Sequence, residues 1–178
     1  MEEAAVKLRR LRPEDRDTLL KWLTDPCVLA FYEGRDRPFT PQMVESHFYE
    51  NTECSRCIAE YQERSVGYLQ YYCLDKAGFE EYGLPETSEK VYGMDLFIGE
   101  PALWGRGLGR IIITQMLEML TEKMGASAVV LDPHVDNLRA IRCYEACGFR
   151  KQKILLAHEL HEGQRKDCWL MKYESAQA

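Results

Sequence analysis

Three features of the chain predict an α/β fold: a mixed sheet with antiparallel portions and helices on both faces. Segments of strand character interleave with segments of helical period, in the order βααββ and then βαβαββ. A glycine-rich turn, Trp104-Gly105-Arg106-Gly107-Leu108-Gly109, lies between a strand and the longest amphipathic stretch. The length of 178 residues suits one domain, 1–178, large enough to bury a real core.

The elements follow in order. Val6 to Leu11 reads as a strand. Pro13-Glu14-Asp15 opens a helix, with proline suited to the first turn and acids to the positive end of the dipole; Leu19, Leu20 and Leu23 form its apolar face. Thr40-Pro41 starts a second helix that runs to about Tyr49. Ser55–Tyr61 and Ser65–Leu74 form a hairpin around Gln62-Glu63-Arg64. Asp75 to Ser88 carries glycine, proline and charge and reads as a loop insertion with one helical turn. Glu89–Ile98 is a strand. Arg106–Met124 is a helix on the spacing of Leu108, Ile112, Met116, Leu120 and Met124. Ala126–Asp132 is a short strand. Asn137–Cys147 is a helix that Asp136 or Asn137 caps and Gly148 ends. Phe149–His158 and Asp167–Tyr173 close the chain as strands around His161-Glu162-Gly163.

Composition narrows the function classes. The net charge of −6 weighs against nucleic acid as a partner and permits a cationic one. No apolar run spans a membrane, and Met1 to Ala5 lacks the apolar core of a signal peptide, so a cytoplasmic location and no membrane partner are expected. Seven cysteines, an odd number, argue against a disulfide framework, and the lone Cys54–Cys57 pair lacks the partners a zinc site needs, so no metal is expected.

The glycine turn carries chemistry. Glycines let the backbone approach a ligand closely, helix-start amides bind anions, and Arg106 and Arg110 add charge suited to phosphate. The GxGxG spacing matches neither a dinucleotide fingerprint nor a Walker loop. The segment resembles motif A of the GCN5-related N-acetyltransferases (GNAT), with Trp104 where Gln or Arg is common. Asn137-Leu138-Arg139-Ala140-Ile141-Arg142-Cys143-Tyr144-Glu145-Ala146-Cys147-Gly148-Phe149 resembles motif B at every marked position of N-x-x-A-x-x-x-Y-x-x-x-G-F. The resemblance implies a GNAT fold whose central sheet is splayed in the middle, with acetyl-CoA as co-substrate. It places Arg106, Gly107, Leu108, Gly109 and Arg110 at the pyrophosphate, the backbone of Leu96, Phe97 and Ile98 along the pantetheine arm and thioester, and Asn137 and Ala140 beside the cofactor. Tyr144 then supplies the proton or hydrogen bond that a departing thiolate needs.

Nearly the whole chain is similar to aminoglycoside 6′-N-acetyltransferases, above all the acetylating domain of bifunctional aminoglycoside-modifying enzymes. The matching stretches include Val91-Tyr92-Gly93-Met94-Asp95, Leu131-Asp132-Pro133-His134 and His158-Glu159-Leu160-His161-Glu162-Gly163. This implies a cationic aminoglycoside as acceptor, Asp95 as the base that takes the ammonium proton, and Asp132 as a contact for a substrate amine. Gln70 and Tyr72, sharing a strand face with Tyr68, line the acceptor cleft; Trp22, Tyr32 and Asp167 are further candidates, with core packing an equal alternative for Trp22. Two rivals stand beside this reading: a GNAT that acetylates a protein N-terminus or a polyamine, and a non-catalytic acyl-CoA sensor. A monomer is expected.

Overall fold

The computed structural model describes residues 6–175; the acidic start, Met1 to Ala5, lies outside them. Seven strands form one mixed sheet, in the order β1-β2-β3-β4-β5-β7-β6. They are β1 (Lys7–Arg10), β2 (Ser55–Tyr61), β3 (Arg64–Cys73), β4 (Val91–Ile98), β5 (Ala128–Leu131), β6 (Arg150–His161) and β7 (Gln164–Glu174). The helices are α1 (Arg16–Trp22), α2 (Pro26–Leu29), α3 (Pro41–Val44), α4 (Lys76–Tyr82), α5 (Leu108–Glu118) and α6 (Leu138–Ala146). Wide, π-type turns extend α3 through Glu45–Glu50 and α5 through Met119–Lys123.

β1 pairs antiparallel with β2, and β5 antiparallel with β7. β4 and β5 are parallel, with Val91 opposite Ala128 and Gly93 opposite Val130. That register ends at Gly93, while β4 continues from Met94 to Ile98. On its other side, β4 stays in step with β3: Leu74 N–H donates to Val91 O at 2.8 Å and Gly99 N–H donates to Val66 O at 2.9 Å. Counting inwards from either bond sets Gln70 opposite Asp95 and Tyr72 opposite Gly93.

The chain packs as two compact units with interleaved segments. One comprises the chain up to Gln70 with Asp95–Ile112 and His161–Gly163; the other comprises Tyr71–Met94, Ile113–Leu160 and the chain from Gln164. The first has a core of Leu19, Trp22, Leu23, Phe39, Val44, Phe48, Ile58 and Tyr68. The second is built on Leu74, Phe79, Tyr82, Val91, Ala128, Val130 and Leu170. All seven cysteines are free thiols, and no helix among the described residues is long and apolar enough to cross a membrane.

Several boundaries differ from the sequence reading for local reasons. The expected loop after β3 holds α4, which Asp75 caps by accepting from Gly78 N–H at 2.9 Å and Gly83 ends at φ +55°. α2 was also not anticipated; Asp25 caps it by accepting from Cys27 N–H, with Pro26 in its first turn. α5 starts at Leu108 rather than Arg106, because Gly105 and Gly107 both have positive φ. Gln62 and Glu63, at φ +51° and +60°, make the β2–β3 turn alone, so Arg64 belongs to the strand.

Candidate active site

The first unit carries an anion cradle. Gly105 and Gly107 adopt φ of +73° and +82°, a region L side chains resist. A Cβ placed on either would meet nothing within 4 Å, so these glycines face open space. The first bond of α5 runs from Ile111 N–H to Gly107 O at 3.2 Å. The amides of Leu108 and Gly109 fall in the first turn, where a helix offers no acceptor of its own. Arg106 and Arg110 are exposed beside them. Trp104 fastens this turn to the end of β4: its indole Nε1–H donates to Ile98 O at 2.8 Å.

β4 supplies the next group. Strand alternation turns the N–H groups of Asp95 and Phe97 towards β3, and those of Leu96 and Ile98 away from it. Phe97 therefore departs from its expected backbone role at the cofactor. Its amide belongs to the β3 ladder, and its ring packs with Tyr32 at 4.7 Å, Tyr68 at 5.5 Å and Trp22 at 5.9 Å. No residue is inserted between β3 and β4, so the available amides come from the unpaired length of β4 rather than from a bulge against β3.

Asp95 is half-buried and is held from β3. Gln70 Nε2 donates to Asp95 Oδ2 at 2.8 Å, and Tyr68 Oη donates to Gln70 Oε1 at 2.8 Å. Burial pushes the Tyr68 and Tyr32 hydroxyls well above their ordinary pKa, so both stay protonated donors. Trp22 is fully buried, the core-packing alternative rather than a cleft wall. It lies where a side chain on Gly99 would have to go, and its Nε1–H donates to Glu100 Oε1 at 2.9 Å. It offers no surface to a substrate and instead fixes the segment that leads into the cradle.

The second unit carries its own polar groups. Asp132, just past β5, accepts from His158 Nε2 at 2.8 Å, and Glu81 Oε1 lies 3.9 Å from the same nitrogen. The hydrogen bond to Asp132, aided by nearby Glu81 and Glu159, holds the His158 imidazole above its ordinary pKa of 6.5. The Tyr72 and Tyr82 hydroxyls lie 3.3 Å apart, and the Tyr72 ring occupies the space that a side chain on Gly93 would need. His158 and Glu81 were missed by sequence reasoning; the only signal for His158 was its place in the His158–Gly163 run.

On α6, Ala140 and Tyr144 are one turn apart on the same face, and Tyr144 is half-buried with its ring 6.0 Å from that of Phe149. Two expected ligand contacts have structural work here. Asn137 Oδ1 accepts from Ala140 N–H at 3.3 Å and caps α6. Asp167 Oδ1 accepts from Ala157 N–H at 2.7 Å, where Ala157 sits at φ +49° within β6. Among the described residues, His134, Glu159 and Cys168 have side-chain ligand atoms within 4.8 Å of one another. His134 Nε2 and Glu159 Oε2 are already closed on each other at 2.7 Å, and burial pushes the Cys168 thiol up to about 12.

A family model described as an acetyltransferase (GNAT) domain matches residues 12–156. The chain belongs to the GNAT acetyltransferases. Among members, an aminoglycoside N(6′)-acetyltransferase type 1 of Klebsiella pneumoniae is 27% identical over 152 residues, covering 83% of this chain and 75% of that protein. The structure of AAC(6′)-Ib in complex with ribostamycin and coenzyme A superposes with a TM-score of 0.79 at 25% identity, over 97% of this chain and 94% of the other. A spermidine N-acetyltransferase from Vibrio cholerae, in complex with CoA and spermine, shares the fold with a TM-score of 0.75 at 18% identity, over 95% of each chain.

The cradle fits the cofactor that a GNAT acetyltransferase uses. A pyrophosphate needs backbone amides, close approach and compensating charge, and Gly105 to Arg110 provides all three. The amides of Leu96 and Ile98 face the side of β4 away from β3, beyond the point where the β4–β5 pairing ends at Gly93.

Proposed function

We propose that this chain, acting as a monomeric single catalytic domain, transfers the acetyl group of acetyl-CoA to the 6′-amine of an aminoglycoside and so confers resistance. The observation that carries this reading is the Asp95 carboxylate, held by Gln70 on β4 next to the amides of Leu96 and Ile98. Those elements match the needs of amine acetylation: a base for the ammonium and a donor for the developing oxyanion. The similarity to aminoglycoside acetyltransferases over most of both chains supplies the acceptor class.

When bound, acetyl-CoA supplies an activated thioester. Asp95 accepts a proton from the 6′-ammonium, directly or through one water, and frees the nitrogen lone pair to attack the thioester carbonyl carbon. An amide of the Leu96–Ile98 segment donates to the carbonyl oxygen as it gains negative charge. The carbon–sulfur bond breaks, Tyr144 donates a proton or hydrogen bond to the leaving thiolate, and the second proton, lost from nitrogen as the amide forms, replaces any that Tyr144 gives up. Asp132 offers a counter-charge to a further substrate ammonium, with His158 fixing its carboxylate. Holding amine and thioester together in one ternary complex supplies much of the rate gain.

Thiol release from acetyl-CoA, measured with kanamycin and with an analogue bearing a 6′-hydroxyl in place of the amine, tests the reading. Turnover with kanamycin alone is expected. Turnover with both moves the acetylated position. Turnover with neither, in protein that binds CoA, refutes the aminoglycoside reading.

A further inference from the structure

We infer that Gln70 and Tyr68 are positioning residues that set the charge state of Asp95, rather than contacts for the acceptor. The inference rests on the reading of Asp95 as the proton acceptor. The β3–β4 register puts Gln70 directly opposite Asp95, and both ends of its amide are engaged: Nε2 with Asp95 Oδ2 and Oε1 with the Tyr68 hydroxyl, each at 2.8 Å.

The direction of this relay is fixed chemically. An ionised carboxylate only accepts, so it selects the amide orientation that presents N–H. The opposite end of the amide must then be its carbonyl, which requires a donor, and Tyr68 is one. The Tyr68 ring cannot swing away: it is 1% exposed and packs edge-on against Phe48 at 5.1 Å and beside Phe97 at 5.5 Å. Its hydroxyl oxygen is held beside Gln70 and also meets the Arg56 side chain, a donor, so its own proton is left for Gln70 Oε1, and burial keeps it protonated.

Tyr32 and Cys54 are among the titratable groups that interact with Asp95, and the Arg56 side chain hydrogen-bonds Tyr68 and lies near Cys54. Burial raises Tyr32 and Cys54 as well, which keeps them neutral near pH 7. The relay is thus the neutral hydrogen-bonding device that favours the charged form of Asp95. If Asp95 takes up a proton, the preferred polarity reverses: the carboxylic acid donates to the Gln70 carbonyl and the amide donates to Tyr68. That reversal takes from the Tyr68 hydroxyl the acceptor it has in Gln70 Oε1, which disfavours the protonated state.

The test is carboxyl NMR of Asp95 together with the pH profile of kcat/KM, in wild type, Gln70→Leu and Tyr68→Phe. Tyr68→Phe keeps the buried ring and removes only the donor. A charge-assisted hydrogen bond supports a carboxylate strongly enough that losing it moves the titration by about one pH unit. We expect the Asp95 titration and the acid limb of kcat/KM to move up by about that amount in Gln70→Leu. A smaller movement of the same sign is expected in Tyr68→Phe, with KM for acetyl-CoA unchanged in both. An Asp95 titration identical in wild type and both variants overturns the relay, even if activity falls. A shifted titration in Gln70→Leu with wild-type turnover in Asp95→Asn would instead leave the relay standing and remove Asp95 from the base role.

Discussion

Gly107→Ala separates backbone strain from cofactor binding. Gly107 has φ +82° and a Cβ there meets nothing within 4 Å, so the change introduces no clash inside the protein. Its cost to folding is the left-handed backbone alone, about 1–2 kcal/mol for an L residue. Gly125 provides a matched control: its φ is +73°, its Cβ direction is equally open, and it follows the wide turn at the end of α5, away from the cradle. Gly107→Ala and Gly125→Ala should therefore lower unfolding free energy by similar amounts in urea titrations. They should differ in CoA binding by calorimetry. The added methyl at residue 107 holds the phosphate away from first-turn amides, and a hydrogen bond to a charged group is worth about 1.5–3 kcal/mol. That corresponds to about a 10- to 100-fold weaker Kd for Gly107→Ala and no change for Gly125→Ala. Equal CoA affinity in the two variants would refute the cradle. A much larger stability loss in Gly107→Ala would mean the turn is packed rather than open.

Two further outcomes follow from the same geometry. The folded-state pKa of His158 is raised above 6.5 by Asp132, so its stabilising contribution is fully present below about pH 6.5 and is lost as pH rises through the folded value. His158→Asn should destabilise the protein in urea unfolding at pH 6 and have a much smaller effect at pH 9; the reverse order would exclude the pair as a stabilising interaction. In Gly99→Ala the new methyl would enter the ring of the fully buried Trp22, and overpacking of this kind costs about 1–3 kcal/mol or more. Chemical denaturation should show that loss, and wild-type stability would mean that the Trp22 ring is free to move.

Much of the fold was legible because its signals are local. The leucine and isoleucine spacing of α5, the alternation in β3 and the Asn137 and Gly148 boundaries of α6 each follow from residues within a few positions of one another. α4 is longer than the one turn read from the sequence: Gly78 and the four charged residues Asp75, Lys76, Glu80 and Glu81 lower its propensity, while the cap that secures it is a single side-chain bond. The site divides in the same way. Asp95 and Tyr144 come with motif stretches, but what holds Asp95 is a cross-strand pair 25 positions away in sequence, and Asp132 meets His158 26 positions away. Asn137, Asp167 and Trp22 show the converse. Each has the residue type a ligand contact needs, and each is engaged by the protein itself. Residue type alone does not reveal which polar atoms the backbone has already claimed.

The Trp104 indole has a consequence for affinity. By tying the loop between Gly99 and Gly107 back to Ile98, it adds to the Trp22–Glu100 bond a second anchor that narrows the conformers this segment samples. Ordering a loop backbone costs about 1–2 kcal/mol per residue. With the indole in place that loss of disorder falls on folding, so a nucleotide arriving at the turn meets amides already aligned. Its binding free energy then reflects contacts made, with little subtracted for conformations given up.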